Sequence, residues 1–255
     1  MKTEKQPVQK TDMQQIKETA LGMLKHFEVQ ENVLFGNHPF SEDGYFSEYD
    51  ATARTYQYTK IEESPETRKR FIEQISSFIE AADEPGDILY LMSKKYQLLF
   101  LKVVLPYLSA RDLGTCLADV WTTGINALKK TDIVHLFKMS DPETLMDDDE
   151  RKTLAGLPDI VEVYRGVKTC GMRSARGMSW TLDLDRARWF AGRFDTKGYV
   201  FKATISKKDI LAYLEDRQEA EAVVDTRKLM GVELLEEVEP KAGRSFVGQQ
   251  HGQAS

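Results

Sequence analysis

After the run "LAGLPDI" (Leu154–Ile160) the spacing of apolar residues changes. Upstream they recur mainly at three and four positions, the period of a helix with one buried face. Downstream they gather in short alternating blocks bounded by glycine and polar residues, the mark of strands. The chain therefore reads as α+β, with a helical N-terminal region over 1–157 and a mixed core over 158–240. The closing stretch "KAGRSFVGQQHGQAS", 241–255, has almost nothing to bury and is expected to be a disordered tail.

In the first region the clearest helix is "SPETRKRFIEQISSFIEAADEPGD". Ser64 can cap it, Pro65 suits its first turn, and Phe71, Ile72, Ile75, Phe78 and Ile79 fall at helical spacing. "ILYLMSKKYQLLFLKVVLPYLSA" predicts a second, more deeply buried helical stretch interrupted near Pro106, and "RDLGTCLADVWTTGIN" a third. "GNHPFSEDGYFSEYDATARTYQYTK" reads as loop with a short extended piece. The acidic run "MDDDERK" reads as a solvated helix start, its acids near the positive end of the dipole. In the second region "IVEVYRGV", "GMSWT", "GYVFKATIS" and "EAEAVVD" read as strands, and "LDRARWFAGRF" and "KKDILAYLEDR" as short helices.

Charge and composition exclude several classes of function. The net charge is −6 and Lys and Arg are spread along the chain, so no basic stripe exists to neutralise a run of phosphates. The N-terminal residues are polar and no segment approaches ~18 uninterrupted apolar residues, which argues against a membrane span and for a cytoplasmic protein. Cys116 and Cys170 form no CxxC pair, and His26, His38, His135 and His251 show no metal-ligand spacing, so no metal site is expected.

Three short patterns carry possible chemistry. In "VEVYRGV" strand alternation puts Val161, Val163 and Arg165 on one face, so Arg165 follows two apolar residues out of a core. Gly166 after it permits close approach of a ligand or another backbone. In "SWTLDLDRARWFAGRF" Asp183 is placed to cap a helix, while Ser179 and Thr181 face one side of the preceding extended segment and Trp180 the other. In "DRQEAEAVVD" strand geometry puts Glu219, Glu221 and Val223 on one face; two adjacent carboxylates repel unless a cation or a function compensates. Taken singly, each has an ordinary structural explanation: a strand-end arginine paired to a carboxylate, hydroxyls before a helix, a solvated acidic loop.

Their order is more specific. A strand ending in Arg165-Gly166, then Ser179-x-Thr181 before a helix with alanine and two aromatics, then "GYVFKATIS", then Glu219-x-Glu221 entering an apolar strand resembles the arginine–serine–glutamate class of mono-ADP-ribosyltransferases. The resemblance covers about Ile160 to Val238. It implies an ADP-ribosyltransferase-like mixed α/β core of two packed sheets, with NAD as substrate and a protein acceptor modified through an arginine. It implies that Glu221 stabilises the oxocarbenium-like centre formed as nicotinamide leaves and that Ser179 holds Glu221 by a hydrogen bond. Glu219 would take the proton of the incoming guanidinium, Arg165 would grip the pyrophosphate, and Gly166 would let the nicotinamide amide meet the main chain.

Trp180 and Thr181 belong to the same cofactor-binding segment, and Arg193 is either a second phosphate contact or a surface arginine at a helix end. Trp189 and Phe194, at helical spacing, are expected in the core. Two departures from the class stand out: Trp180 separates the two hydroxyls, and the loop "YLEDRQEAE" is short, so the identity of the acceptor does not carry over. An NAD glycohydrolase and a non-catalytic binding protein that keeps the fold are the competing expectations, and a bacterial or phage effector fits the leading one.

Overall fold

The computed structural model describes residues 8–29, 38–123, 128–193, 197–215 and 219–239. Phe194 and the tail 241–255 lie outside them. The chain divides into two compact units, Met1–Asp148 and Asp149–Ser255.

The first unit holds α1 (Met13–Val29), a hairpin of β1 (Tyr45–Asp50) and β2 (Thr55–Lys60), then α2 (Pro65–Ala81), α3 (Pro85–Leu91), α4 (Lys94–Val104), α5 (Ala110–Thr123), α6 (Lys130–Met139) and α7 (Pro142–Leu145). Local chemistry sets the start of α2 as expected. The Ser64 hydroxyl accepts the Thr67 N–H at 3.1 Å and Pro65 occupies the first turn, while Phe71, Ile75 and Ile79 bury one stripe. The second helical stretch breaks at Met92-Ser93 as well as at the 3-10 turn Leu105–Tyr107 around Pro106. The segment expected as loop with one extended piece is a complete six-residue ladder, because Tyr, Phe and Thr favour extended backbone and Asp50 closes the turn by accepting the Thr52 and Ala53 N–H groups.

His38 is buried in this unit, 5.4 Å from the Phe71 ring, with Nδ1 accepting the Phe40 N–H at 3.1 Å. Burial pulls its pKa from 6.5 to about 4. An imidazole whose native pKa lies below its unfolded one contributes stability above pH 6.5 that is lost as pH falls through 4, because the unfolded chain takes up the proton first. Stability should fall by about 3 kcal/mol over that window. Denaturant titrations of the whole chain at several pH values should show this slope, and His38→Phe should flatten it.

The second unit contains α8 (Asp148–Gly156), β3 (Ile160–Val167), α9 (Met172–Ala175), β4 (Ser179–Thr181), α10 (Leu184–Gly192), β5 (Gly198–Ser206), β6 (Ile210–Leu214), β7 (Glu221–Val224) and β8 (Met230–Val238). The unit boundary falls one helix earlier than the expected 157/158 because α8 is tied to the strands. Leu154 and Leu157 pack on their core, Lys207 Nζ donates to the Ala155 and Leu157 carbonyls, and Glu150 accepts the Glu215 N–H at 2.7 Å.

All strand pairs are antiparallel, in the order β6-β7-β4-β3-β5-β8. β3 and β4 meet at one residue pair, Tyr164↔Thr181, so the ladder is two three-stranded halves joined at a point. The halves share one core: Val161, Val163, Phe201, Ala203 and Ile205 of one pack with Trp180, Ile210, Ala222 and Val224 of the other. The core strands thus form one six-stranded sheet, where the resemblance implies two packed sheets. Helix α10 covers the opposite face of β3 and β5 with Ala187 and Ala191, which leaves Trp189 on its outer side, 41% exposed rather than in the core as expected.

Two strands of this unit depart from the sequence reading. "KKDILAYL" is a 3-10 turn followed by the strand β6, not a helix; its five apolar residues suit either period, and pairing with β7 decides. β8 was not anticipated. Its run "MGVELLEEV" is charged, and register shifts along β5 break the alternation that would announce a strand.

Candidate functional site

The single Tyr164↔Thr181 pair leaves a gap where β3 and β4 part. Arg165 and Gly166 flank it on one strand, Ser179 and Trp180 on the other. A hollow of about 240 Å³ opens there, a little below the range of about 300–1,000 Å³ usual for small-molecule sites. Arg165, Gly166, Ser179, Trp180, Thr181, Arg193, Glu219 and Glu221 all line it, so every anticipated site residue reaches one cavity.

The hydrogen bonds give these residues different duties. Ser179 Oγ donates to Glu221 Oε1, the contact expected of a hydroxyl that fixes a carboxylate. The register explains it: Ser179 pairs with Val223 and Thr181 with Glu221, so Ser179 and Glu221 are diagonal neighbours on adjacent strands. Thr181 is buried and fully engaged. Its hydroxyl donates to the Glu219 carbonyl at 2.8 Å and accepts the Asp183 N–H at 3.1 Å, which makes it a brace between the acidic segment and the cap of α10. Asp183 in turn accepts the Asp185 and Arg186 N–H groups, as its position predicts.

Arg165 differs from expectation in one respect. Its Nε donates to the Ser174 carbonyl at 3.0 Å and its Nη1 to the Ser179 carbonyl, so part of its fork holds the chain between α9 and β4. Its remaining N–H groups donate to no residue among those described. Burial pulls the guanidinium's pKa below its usual value, while the Glu221 carboxylate pushes it up. The charge persists, since arginine stays protonated across the range in which proteins fold.

Gly177, which sequence reading missed, completes this arrangement. A Cβ at Gly177 would overlap the Arg165 guanidinium, and its carbonyl accepts the Trp180 indole N–H at 2.8 Å. Trp180 is 2% exposed and its ring belongs to the shared core, so it anchors the wall of the hollow instead of offering a face for stacking.

Gly166 admits another backbone, one of the two close approaches its position allows. A Cβ there would overlap the Ala187 carbonyl oxygen and lie 2.7 Å from Ala191 N and 2.9 Å from Phe190 Cβ. The missing side chain is thus filled by α10, which seats Phe190 and Arg193 at the rim. The Arg193 guanidinium lies 4.9 Å from the Phe190 ring centre and 5.8 Å from that of Trp189.

Glu219 and Glu221 do not share a strand face. β7 begins at Glu221, and Ala220 has φ of 44°, a left-handed conformation rare outside glycine, so the chain turns between the two carboxylates. Both still line the hollow. Tyr164 and Phe190 line it too and were not anticipated as site residues. The Tyr164 hydroxyl donates to Glu162, which pushes the phenol's pKa up.

Among the described residues no cluster of His, Cys, Asp and Glu is arranged to hold a metal ion, and no helix is long and apolar enough to cross a membrane. Comparison of the chain with protein-family models, with curated proteins and with solved structures finds no match.

Proposed function

We propose that this protein cleaves the bond between nicotinamide and ribose in NAD and transfers ADP-ribose to a protein side chain, with arginine as the acceptor. The observation that supports this reading most strongly is the Ser179–Glu221 hydrogen bond inside a hollow that Arg165 and Glu219 also line. A carboxylate held by a neutral donor keeps its charge and its direction. That is what a sugar needs as positive charge grows on its anomeric carbon.

In this reading the C–N glycosidic bond breaks and its electron pair leaves with nicotinamide, which becomes neutral. Glu221 faces the ribose and offsets the charge left behind. The unengaged N–H groups of Arg165 meet the pyrophosphate, with Arg193 at the rim as a second cation. An acceptor guanidinium forms the new C–N bond as its proton passes to Glu219, a base that matters because free guanidinium has a pKa above about 12.

The test is incubation of the full chain with labelled NAD and agmatine, a soluble guanidine. Release of nicotinamide with label on agmatine is the expected result. Free ADP-ribose without labelled agmatine assigns water as the acceptor, and no release of nicotinamide overturns the proposal.

A further inference from the structure

The β1–β2 hairpin presents a surface that the proposed chemistry leaves unused. Residues paired directly across an antiparallel ladder point to the same side. The pairs Tyr45↔Lys60, Ser47↔Tyr58 and Tyr49↔Tyr56 therefore gather Tyr45, Tyr49, Tyr56 and Tyr58 on one face. The opposite face is committed to α2. Phe46 is buried edge-on to Phe71 at 5.7 Å, Glu48 pairs with Arg70 at 3.2 Å, and Gln74 donates to the Ser47 carbonyl at 3.1 Å.

With its back anchored, the hairpin holds the tyrosines outward at 46%, 58%, 64% and 78% exposure. The Tyr49 and Tyr56 rings sit 5.3 Å apart at 60°, a pre-formed pair and not two independent side chains. Tyrosine offers large, rigid contact area at low entropic cost, the property that enriches it in recognition surfaces.

We infer that this face docks an arginine-bearing segment of a protein partner. Between Ser41 and Glu63 there are six carboxylates against two cations, Arg54 and Lys60. Glu48 and Asp50 lie on the α2 side of the ladder and Lys60 on the tyrosine side, and Glu42, Asp43, Glu62 and Glu63 flank the end of the ladder at Tyr45. The net negative surroundings draw a cationic partner and repel a nucleic-acid backbone. Tyrosine faces attract cations, and a planar guanidinium stacks on a ring while its edge donates to nearby carboxylates, which a lysine ammonium does less well. The inference rests on the hairpin alone and is independent of the NAD chemistry.

The test is fluorescence anisotropy of a labelled arginine–serine peptide titrated with the full-length protein. Saturable binding that weakens with added salt is expected. Tyr49→Ser with Tyr58→Ser should weaken it by about tenfold or more, whereas Tyr49→Phe with Tyr58→Phe keeps the rings and should bind as the wild type does. A lysine–serine peptide of equal charge should bind several-fold more weakly. Absence of saturable binding, equal affinity of the serine variant, or equal affinity for the lysine peptide would overturn the inference. So would preference for a soluble polysaccharide or a single-stranded oligonucleotide, which also stack on tyrosine. Nicotinamide release from NAD without a protein acceptor should be unchanged in both variants, so failure of docking and failure of the NAD reading are separately visible.

Discussion

Glu221→Gln should reduce nicotinamide release from NAD by about a hundredfold to a thousandfold, the scale set by removing one pre-oriented electrostatic group worth about 3–4 kcal/mol in the transition state. The substitution keeps the volume of the side chain and an oxygen that can accept the Ser179 hydroxyl, so the cavity should keep its shape. What disappears is the charge. Ground-state NAD carries little positive charge on its ribose carbon, hence its affinity, measured by calorimetry, should change far less than turnover. The variant should be somewhat less stable, since Glu221 is also a counter-charge for the buried Arg165 guanidinium. Turnover equal to that of the wild type would remove Glu221 from the chemistry and the proposed mechanism with it.

Gly166→Ala has the largest expected effect on the fold. The new methyl group would collide with the Ala187 carbonyl oxygen and crowd Ala191 N and Phe190 Cβ, and two of these three neighbours are backbone atoms of α10 that no rotamer change can move. Either the helix lifts from the sheet or the end of β3 bends away. Both separate Ala187 and Ala191 from Val200, and the cost should be about 3 kcal/mol. Thermal unfolding of the full chain should show an earlier transition, with loss of NAD turnover because Phe190 and Arg193 ride on the same helix. A variant that melts with the wild type would mean that α10 does not press on β3 as closely as described.

Much of the site is legible in the sequence, for identifiable reasons. Arg165 was placed on the core-facing side of its strand by two valines at alternate positions, and Val161 and Val163 are indeed buried. Asp183 announced the start of α10 because a carboxylate before an apolar stripe has N–H groups to satisfy. The grouping of Arg165, Ser179 and Glu221 came from their order along the chain. Their convergence depends on pairings between strands distant in sequence.

Other features had no local signature. Ile210–Leu214 is apolar throughout and suits a helix or a strand until β7 supplies its hydrogen bonds. Trp189 matches a buried helical pattern in sequence, yet the narrow stripe Ala187–Ala191 is what meets the sheet, since only alanine lets the helix approach so near. Gly177 looks like any glycine before a strand; its need appears only once the Arg165 guanidinium lies against it.

The division has one physical cause. Periodicity, caps and charge balance act within a turn or a strand, so the chain by itself determined the change from helical to mixed architecture, the starts of α2 and α10, and which face of β3 turns inward. Contacts between residues far apart in sequence are set by which strands pair and how closely a helix can pack. Only the tertiary structure could decide that β3 and β4 meet at one residue pair, that the gap beside it becomes a cavity, and that Ala220 turns Glu219 away from the strand that carries Glu221.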